Sequence, residues 1–282
     1  MKRGFLLMLL VALPLVAMAA VGQAAPDGGM APAVTITPVY GDEDLMPLVT
    51  LMEFDPWLMV IGSDSPRFVL YNTGQIIYYE DDAGYMTVTL DEDELEQLLE
   101  QLDISDDFYA LDEYYDLLLK TDQPTTTIQV WLPDRGEKSV GVYGDLRHDP
   151  EARELAPETY VALFDRLASY RSPNAEKWQP EKFEALLWTW DTTADVEWLD
   201  SFPDLDSPFA VPRPDDQYSI YIDIDLLDEF EQLLEAGSAV ELDGRTWAVS
   251  MRLPFPHEVV WAGGVDPRVT AMTPEATPDA DE

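Results

Sequence analysis

Four tryptophans in the second half of the chain are the residues best suited to hold a ligand. Trp178, Trp188, Trp190 and Trp198 lie within a short span, and Trp188 and Trp190 share one face of a predicted strand. An exposed indole ring stacks on a sugar ring, whereas a buried indole supplies a large apolar area to a core. The four are therefore candidate ligand-binding residues. The alternative, favoured by their apolar area, is that they pack in the core or at the junction between two halves.

Carboxylates are the second source of chemistry, because the chain contains 56 acidic residues. Glycoside hydrolysis needs two carboxyl groups whose environments hold their pKa values apart, and sequence spacing alone selects no such pair. The close pairs are Asp191 and Asp195, Asp204 and Asp206, and Asp223 and Asp225. A hydrolase that depends on carboxylates or on calcium, with carbohydrate as a candidate substrate, is therefore the alternative function.

One stretch has the start of a calcium-binding loop. Asp103–Asp107 shows the alternating oxygen ligands of such a loop. Phe108, however, stands where the loop needs glycine, and Tyr114 stands where it needs glutamate. The sequence thus assigns no metal ligand, and calcium is kept only as the cofactor that suits an acidic chain.

The two histidines, His148 and His257, are the only imidazole groups in the chain. His257 stands beside Glu258 in a proline-flanked loop, where it is either a catalytic base or, as we favour, a hydrogen-bonded loop residue. The sequence contains no H-E-x-x-H, no G-x-S-x-G and no phosphate-binding glycine loop. We therefore assign no catalytic residue and favour a protein that is not an enzyme.

The overall charge and the lack of cysteine exclude several classes of function. The chain has 16 basic and 56 acidic residues, a formal net charge of −40, and no cysteine. So acidic a chain repels phosphate backbones, which excludes nucleic acid as a partner and disfavours anionic membrane surfaces. The absence of cysteine excludes disulfides, thiol nucleophiles, iron–sulfur clusters and cysteine-ligated zinc.

The N-terminus has the pattern of a secretory signal peptide. Residues 1–22 begin with Lys2 and Arg3, continue with the apolar run Phe5–Val16, and end in small residues. The alternative is an uncleaved membrane anchor, against which Pro14 and the small residues favour cleavage. We expect export to the periplasm or the exterior, with no membrane span after cleavage. Residues 23–40 are predicted to be a linker and 262–282 a disordered acidic tail.

The best-patterned stretch of the chain is Phe68–Leu102, which predicts three strands and a helix. Phe68–Tyr71 and Gln75–Tyr79 carry apolar side chains on both faces, which predicts central strands covered on both sides. Tyr85–Leu90 alternates, as in a half-buried strand. Asp91 and Glu94 then have the spacing of a capping box, and the four leucines at 95, 98, 99 and 102 form one apolar stripe that we expect to lie on the sheet.

Further elements follow the same rules of pattern. The strands predicted with most difficulty are Val34–Tyr40 and Trp57–Ile61, because prolines interrupt both regions. The other predicted elements are the hairpin Thr125–Leu132 and Lys138–Tyr143, the helix Pro157–Tyr170, the strands Phe183–Trp190 and Tyr218–Ile222, the helix Ile224–Glu235, and the hairpin Ser238–Met251 around Asp243-Gly244. We place a boundary between an N-terminal half, 41–172, and a C-terminal half, 173–261.

The two predicted helices Glu94–Glu100 and Glu229–Glu235 share a sequence pattern. Each reads Glu, apolar, Glu, Gln, Leu, Leu, Glu, and each follows a predicted strand. Acidic amphipathic helices draw on few residue types, so coincidence explains this likeness as well as duplication does. The pattern predicts that both halves place a helix against an antiparallel sheet.

Three stretches resemble a family of exported bacterial proteins to which no activity is assigned. They are Pro66–Gly74, the pair Trp178 and Pro180, and Arg252–Glu258. The resemblance implies export and a shared fold, and it transfers no site residue.

Taken together, the patterns predict an α+β protein with antiparallel sheets, helices packed on one face, and two halves that are related or merely similar. The function that we expect is a non-catalytic binding or interaction module of the cell envelope or exterior, with a protein or a saccharide as its partner.

Overall fold

Two β-sheets, each with helices on one face, make up the described part of the chain. The computed structural model describes residues 45–60, 63–117, 120–213 and 216–258. All of these residues belong to one compact unit. The predicted signal peptide, linker, acidic tail and strand Val34–Tyr40 lie outside the described residues. The predicted α+β class is confirmed.

The first sheet has eight strands in the order β5-β7-β6-β1-β2-β3-β4-β8. All neighbours are antiparallel except β5 and β7. Its strands are β1 Pro47–Phe54, β2 Phe68–Tyr71, β3 Gln75–Glu80, β4 Gly84–Thr89, β5 Tyr114–Asp116, β6 Thr125–Leu132, β7 Gly136–Tyr143 and β8 Glu176–Lys177. The predicted hairpins at β2–β3 and β6–β7 are therefore confirmed.

Four helices cover one face of this sheet: α1 Glu92–Leu102, α2 Asp106–Tyr109, α3 Pro150–Leu155 and α4 Glu158–Ala168. The predicted capping box of α1 is present, since Asp91 accepts from the Glu94 N–H at 2.9 Å and Glu94 accepts from the Asp91 N–H at 3.0 Å. Leu98 and Leu102 of α1 pack in the same buried cluster as Phe68 and Tyr78. The opposite face of β2 and β3 is buried too, as their sequences predicted.

The turn between β2 and β3 requires glycine. Gly74 has a φ of +81°, and a Cβ at this position would lie 2.4 Å from the Leu90 carbonyl oxygen. The same glycine accepts the Leu90 N–H at 3.0 Å. The turn therefore joins β2 to β3 and also fixes the end of β4 just before α1.

The second sheet has six strands in the order β10-β13-β14-β9-β12-β11. Only β10 and β13 are parallel. Its strands are β9 Lys182–Thr189, β10 Val196–Glu197, β11 Ala210–Arg213, β12 Gln217–Asp223, β13 Ala239–Leu242 and β14 Arg245–Arg252. A 3₁₀ turn, Ile224–Leu226, leads into α5, Leu227–Ala236, whose Phe230 and Leu233 pack on Phe183 and Trp247. The hairpin predicted at Asp243-Gly244 is present, with φ values of 54° and 71° in the turn.

One predicted strand is absent from the structure. Trp57–Val60 is not a strand: Pro47 begins β1, which ends at Phe54, and Pro56 opens a turn. A proline is tolerated at the first residue of a strand, where its missing N–H is not needed. The segment Asp103–Lys120, to which the sequence analysis assigned no element, contributes α2 and β5. Although β8 lies beyond residue 172, it pairs with β4 and so extends the first sheet.

The helices with the shared pattern, α1 and α5, both pack on a sheet, as the pattern predicted. The hairpin that follows each helix joins the rest of its sheet through a different one of its two strands. In the first sheet the earlier strand of the hairpin, β6, lies beside β1, whereas in the second sheet the later strand, β14, lies beside β9. The two halves thus share the helix-on-sheet arrangement but not the order of strands.

Candidate functional site

A cleft of about 1010 Å³ lies between the two sheets. Its floor is formed by β3, β4 and β8 of the first sheet. One wall comes from Met251–Leu253 at the end of β14 and from Leu227 and Glu231 of α5. The other wall comes from the β1–β2 connection. Asp145–His148 contributes residues at one end.

The floor of the cleft is a ladder of side chains on neighbouring strands. The Tyr79 N–H donates to the Arg67 carbonyl at 2.9 Å, Tyr79 pairs with Tyr85, and the Trp178 N–H donates to the Tyr85 carbonyl at 2.9 Å. The guanidinium carbon of Arg67 lies 4.0 Å from the Tyr79 ring centre. The Tyr79 and Tyr85 rings are 5.0 Å apart, and those of Tyr85 and Trp178 are 5.9 Å apart. Side chains paired across strands share a face, so the ladder runs across the sheet.

Burial fixes the protonation state of Tyr85, the middle residue of the ladder. It raises the pKa of Tyr85 well above its ordinary value, because a phenolate would lose its hydration. Tyr85 is therefore a neutral hydrogen-bonding group at physiological pH.

An ion-pair network closes one end of the floor. Arg147 forms a bidentate ion pair with Glu53, with its Nε 2.7 Å from Oε1 and its Nη2 2.7 Å from Oε2. The Arg67 Nε lies 3.3 Å from the same carboxylate, close enough for an ion pair but without a hydrogen-bond partner. Arg67 also reaches Asp81, at 2.9 Å. Two guanidinium groups thus neutralise Glu53.

The β1–β2 connection forms an exposed lip over the cleft, here the residues Phe54–Leu58 with Ser63–Ser65. Trp57 is 72% exposed, the most exposed large apolar side chain in the part of the chain that the structure describes. The Asp55 N–H donates to the Asp64 carboxylate at 2.9 Å, and the Trp57 N–H donates to the Asp55 carboxylate at 2.8 Å. The backbone N–H groups of Asp55 and Trp57 therefore link the three residues through the two carboxylates.

Asp64 is the carboxyl group of the cleft with a shifted pKa. Burial raises its pKa above the ordinary value of 3.8, the Asp55 N–H lowers it, and the negative charge of Asp55 adds to the rise. Among the described residues, no lysine, arginine or histidine nitrogen lies within 4.0 Å of either carboxylate. The two acids thus face one another without a cation.

The lip is tied to the second sheet by hydrogen bonds. The N–H of Val60, which lies between the two parts of the lip, donates to the Ser250 hydroxyl at 2.9 Å. The Ser65 hydroxyl accepts the Leu253 N–H at 2.9 Å and donates to the Leu253 carbonyl at 3.1 Å. The lip therefore bridges the two sheets at the cleft rather than extending freely from β1.

The opposite wall is held by a buried network around Arg252. Its Nε donates to Glu184 at 2.7 Å and its Nη1 donates to Glu258 at 2.9 Å. Glu184 is only 2% exposed, and it also accepts from the Ser219 hydroxyl at 2.5 Å. Burial would lower the pKa of Arg252, but the two carboxylates raise it, so the guanidinium stays charged.

His257 is a hydrogen-bonded loop residue rather than a base of the cleft. Its Nδ1 lies 2.7 Å from the hydroxyl of the buried Tyr71. Burial lowers its pKa below 6.5, although the charge of Glu258 works in the opposite direction. The other histidine, His148, lies at the end of the cleft beside Asp145, with a largely exposed ring.

The structure does not bring the four predicted tryptophans together. Trp178 lines the cleft, with its ring 4.9 Å from that of Phe255. Trp198 packs against Phe230 in the core of the second sheet and donates from its ring nitrogen to a backbone carbonyl. Trp188 and Trp190 belong to β9 and to the residue that follows it, away from the cleft lining, and Trp190 is 41% exposed. Ligand binding by all four stays a prediction.

The predicted acidic pairs lie outside the cleft. Asp223 pairs with Lys182, and Asp204 lines a smaller pocket of about 470 Å³ beside Trp198. In the stretch that resembles a calcium loop, Asp103 ends α1 with a φ of 51° and Asp106 pairs with Arg135. Within the described ranges, no group of three or more histidines and acids is placed to hold a metal ion.

Sequence reasoning missed Trp57, Asp64 and the ladder on the floor. The three stretches that carry the resemblance do meet beside the cleft, since Tyr71 bonds to His257 and Trp178 packs on Phe255, but they include neither Trp57 nor Asp64. Of the helices in the described ranges, none has the length and apolar character to span a membrane. No protein-family model matches the chain, and neither a curated protein nor a solved structure gave a match.

Proposed function

We propose that this protein is an exported, non-catalytic binding module that holds its ligand in the cleft between the two sheets. The observation that carries the proposal is the position of Trp57, a 72% exposed indole at the lip of a cleft of about 1010 Å³. Ligand pockets have volumes of roughly 300–1,000 Å³ and combine apolar walls with a few polar groups. The cleft is at the upper end of that range, which suits an extended ligand.

The lining favours a peptide segment of a partner protein. Aromatic residues, methionine and arginine are enriched at protein interfaces, and the cleft presents all three. Its apolar side chains are those of Phe54, Trp57, Leu58, Trp178, Leu227, Met251 and Leu253. The ladder on the floor suits a saccharide less well, because neighbouring rings meet at 73° and 77° and so form no continuous flat surface.

The groups of the cleft support binding more than catalysis. Glu53 is neutralised by Arg67 and Arg147, and Tyr85 stays protonated. General acid–base catalysis requires a group whose pKa lies near the working pH and whose position reaches the reacting atom. Arg252, the remaining large polar group of the wall, already binds two carboxylates.

A second candidate, a carboxylate-dependent hydrolase, is favoured by Asp64 alone. Its carboxyl group lies in the cleft and its pKa is raised by burial, as in carboxyl groups that act as general acids. Asp55, bonded to it through the backbone, would then be the second carboxylate. Asp64→Asn separates the two functions, because it would abolish hydrolysis of aryl glycosides and leave a folded binding protein.

The proposal is tested with displayed random peptides and with an array of neutral and charged oligosaccharides. We expect peptides to be enriched, and we expect Trp57→Ala to weaken their binding by about tenfold or more, as for a buried aromatic anchor. Trp190→Ala is the matched control, since Trp190 is an exposed tryptophan outside the cleft lining. Peptides that bind both variants equally well would contradict a ligand site in the cleft.

A further inference from the structure

The cations that line the cleft are neutralised by the protein itself. Arg147 and Arg67 share Glu53, and Arg67 also binds Asp81. Arg252 lies between Glu184 and Glu258. An anionic ligand would therefore have to displace an internal carboxylate from each of these arginines.

Lys177 is the fourth cation of the lining, and it lies far from the lip. It belongs to β8, whereas the lip precedes β2, and β3 and β4 lie between them. Adjacent strands are about 4.8 Å apart, which places β8 roughly 14 Å from β2. Lys177 pairs across the strands with Met86, which packs on the helix-covered cluster, and among the described residues it forms no ion pair with the acids of the lip.

The acids of the lip have no such compensation. Asp55 and Asp64 are joined by a hydrogen bond, and no basic nitrogen of the described residues lies within 4.0 Å of their carboxylates. Trp57, whose backbone N–H donates to Asp55, is 72% exposed beside them. A cation over an indole face and beside carboxylates gains from the ring quadrupole and from charge-assisted hydrogen bonds.

We infer that the peptide held in the cleft presents a lysine or arginine side chain to the lip, between the carboxylates of Asp55 and Asp64 and over the indole of Trp57. This inference rests on the proposed function and adds the chemistry of the ligand. The stem of such a side chain packs on apolar surface while its charged end stays polar, which suits a lip formed by Phe54, Trp57 and the two acids. The net charge of −40 favours the approach of a basic partner over long distances.

The test uses three displayed random-peptide libraries, one basic, one neutral and one acidic. We expect the full chain to enrich peptides from the basic library that bind in a Trp57-dependent manner. Asp55→Asn/Asp64→Asn keeps the acceptor oxygens of the turn and removes both charges, so it should weaken these peptides by about tenfold or more. Replacing the basic residue of the peptide by glutamine should weaken binding to the natural chain by a similar factor. The same glutamine replacement in the peptide should have little further effect on binding to Asp55→Asn/Asp64→Asn, because the basic side chain and the two carboxylates act together.

The control distinguishes attraction of a basic peptide by the carboxylates of the lip from attraction by the net negative charge of the whole chain. Glu197→Gln/Glu241→Gln removes two exposed carboxylates from the small pocket beside Trp198, so its net charge equals that of the lip variant. We expect it to bind the basic peptides within about twofold of the natural chain, because screening weakens distant exposed charges. An equal loss in both variants would overturn the inference in favour of non-specific attraction.

The remaining outcomes distinguish this inference from the proposed function. Cleft-dependent peptides that contain no basic residue, or that bind Asp55→Asn/Asp64→Asn unchanged, would overturn the inference and leave the binding module intact. Failure of all three libraries to yield a peptide that depends on Trp57 would overturn the proposed function and the inference with it. Circular dichroism of each variant confirms that a loss of binding is not a loss of folding.

Discussion

The ring of Trp178 lies 4.9 Å from the ring of Phe255, which joins a residue just after β8 of the first sheet to one just after β14 of the second. Phe255 is completely buried, and its ring also meets Tyr85 at 5.5 Å. The segment that follows β14 therefore packs on the face of the first sheet that is opposite to its helices. This contact supports one side of the cleft.

Phe255→Ala should destabilise the protein by about 3–5 kcal/mol, the usual cost of truncating a buried phenylalanine. Urea denaturation followed by tryptophan fluorescence measures the loss. Trp190→Ala, at an exposed position, should change the free energy of unfolding by less than about 1 kcal/mol. A similarly small loss for Phe255→Ala would mean that the segment after β14 contributes little to the junction of the sheets.

Arg252→Met should destabilise the protein by about 3–5 kcal/mol, because it leaves the carboxylate of Glu184 buried without its principal cation. The double variant Glu184→Leu/Arg252→Met should recover part of this loss, since it also removes Glu184, the more buried of the two carboxylates that bind Arg252. Lys120→Met is the control: it breaks exposed pairs with Asp149 and Glu151 and should cost less than about 1 kcal/mol. Equal losses in the single and double variants would show that packing, rather than charge, holds this wall.

The short-range features of the fold were predictable, and the cleft was not. The capping box at Asp91 and the turn at Asp243-Gly244 act through neighbouring residues, so their patterns were sufficient. Tyr71 and His257, by contrast, are 186 positions apart. Nothing in the sequence pattern indicates that such distant residues meet, because many pairings of strands satisfy the same alternation of polar and apolar residues.

The tryptophans show the same limit. The sequence offered the same two interpretations, ligand binding and core packing, for all four tryptophans, and gave no reason to separate Trp198, which packs on the second core, from Trp178. Trp57 was placed in a strand because the prolines around it obscured where β1 ends. Its exposure depends on the turn formed by Asp55 and Asp64, two residues whose spacing alone predicts no contact.

The buried imidazole of His257 should make the folded protein sensitive to acid. Because burial lowers its pKa in the folded state, its contribution to stability is present above the unfolded value of 6.5 and is lost as pH falls through the folded pKa. His257→Gln should therefore lose less stability than the natural chain when the pH is lowered below 6.5. Parallel urea melts over this range, with His148→Gln as the control for removing an exposed imidazole, measure the difference. Identical pH profiles would contradict a buried neutral His257.

Asp64 should have the opposite dependence on pH. Burial raises its pKa in the folded state, so the stability it contributes is full below the unfolded value of 3.8 and is lost as pH rises through the folded pKa. Asp64→Asn should thus raise the Tm at neutral pH and raise it less near pH 3.8. Asp107→Asn, which removes an exposed carboxylate, is the control. A Tm increase for Asp64→Asn that is the same at both pH values would exclude an unfavourable buried charge at the lip.

The position of the ligand is tested most directly by amide hydrogen exchange of the full chain, with and without a peptide selected from the basic library. The account predicts slower exchange in residues 54–58 and 63–65, at Trp178, and in residues 251–253, which together line the cleft. Residues 189–192 around Trp190 should exchange at the same rate in both samples. Protection confined to the region of Trp190, or to the small pocket beside Trp198, would contradict the account and place the ligand elsewhere on the protein.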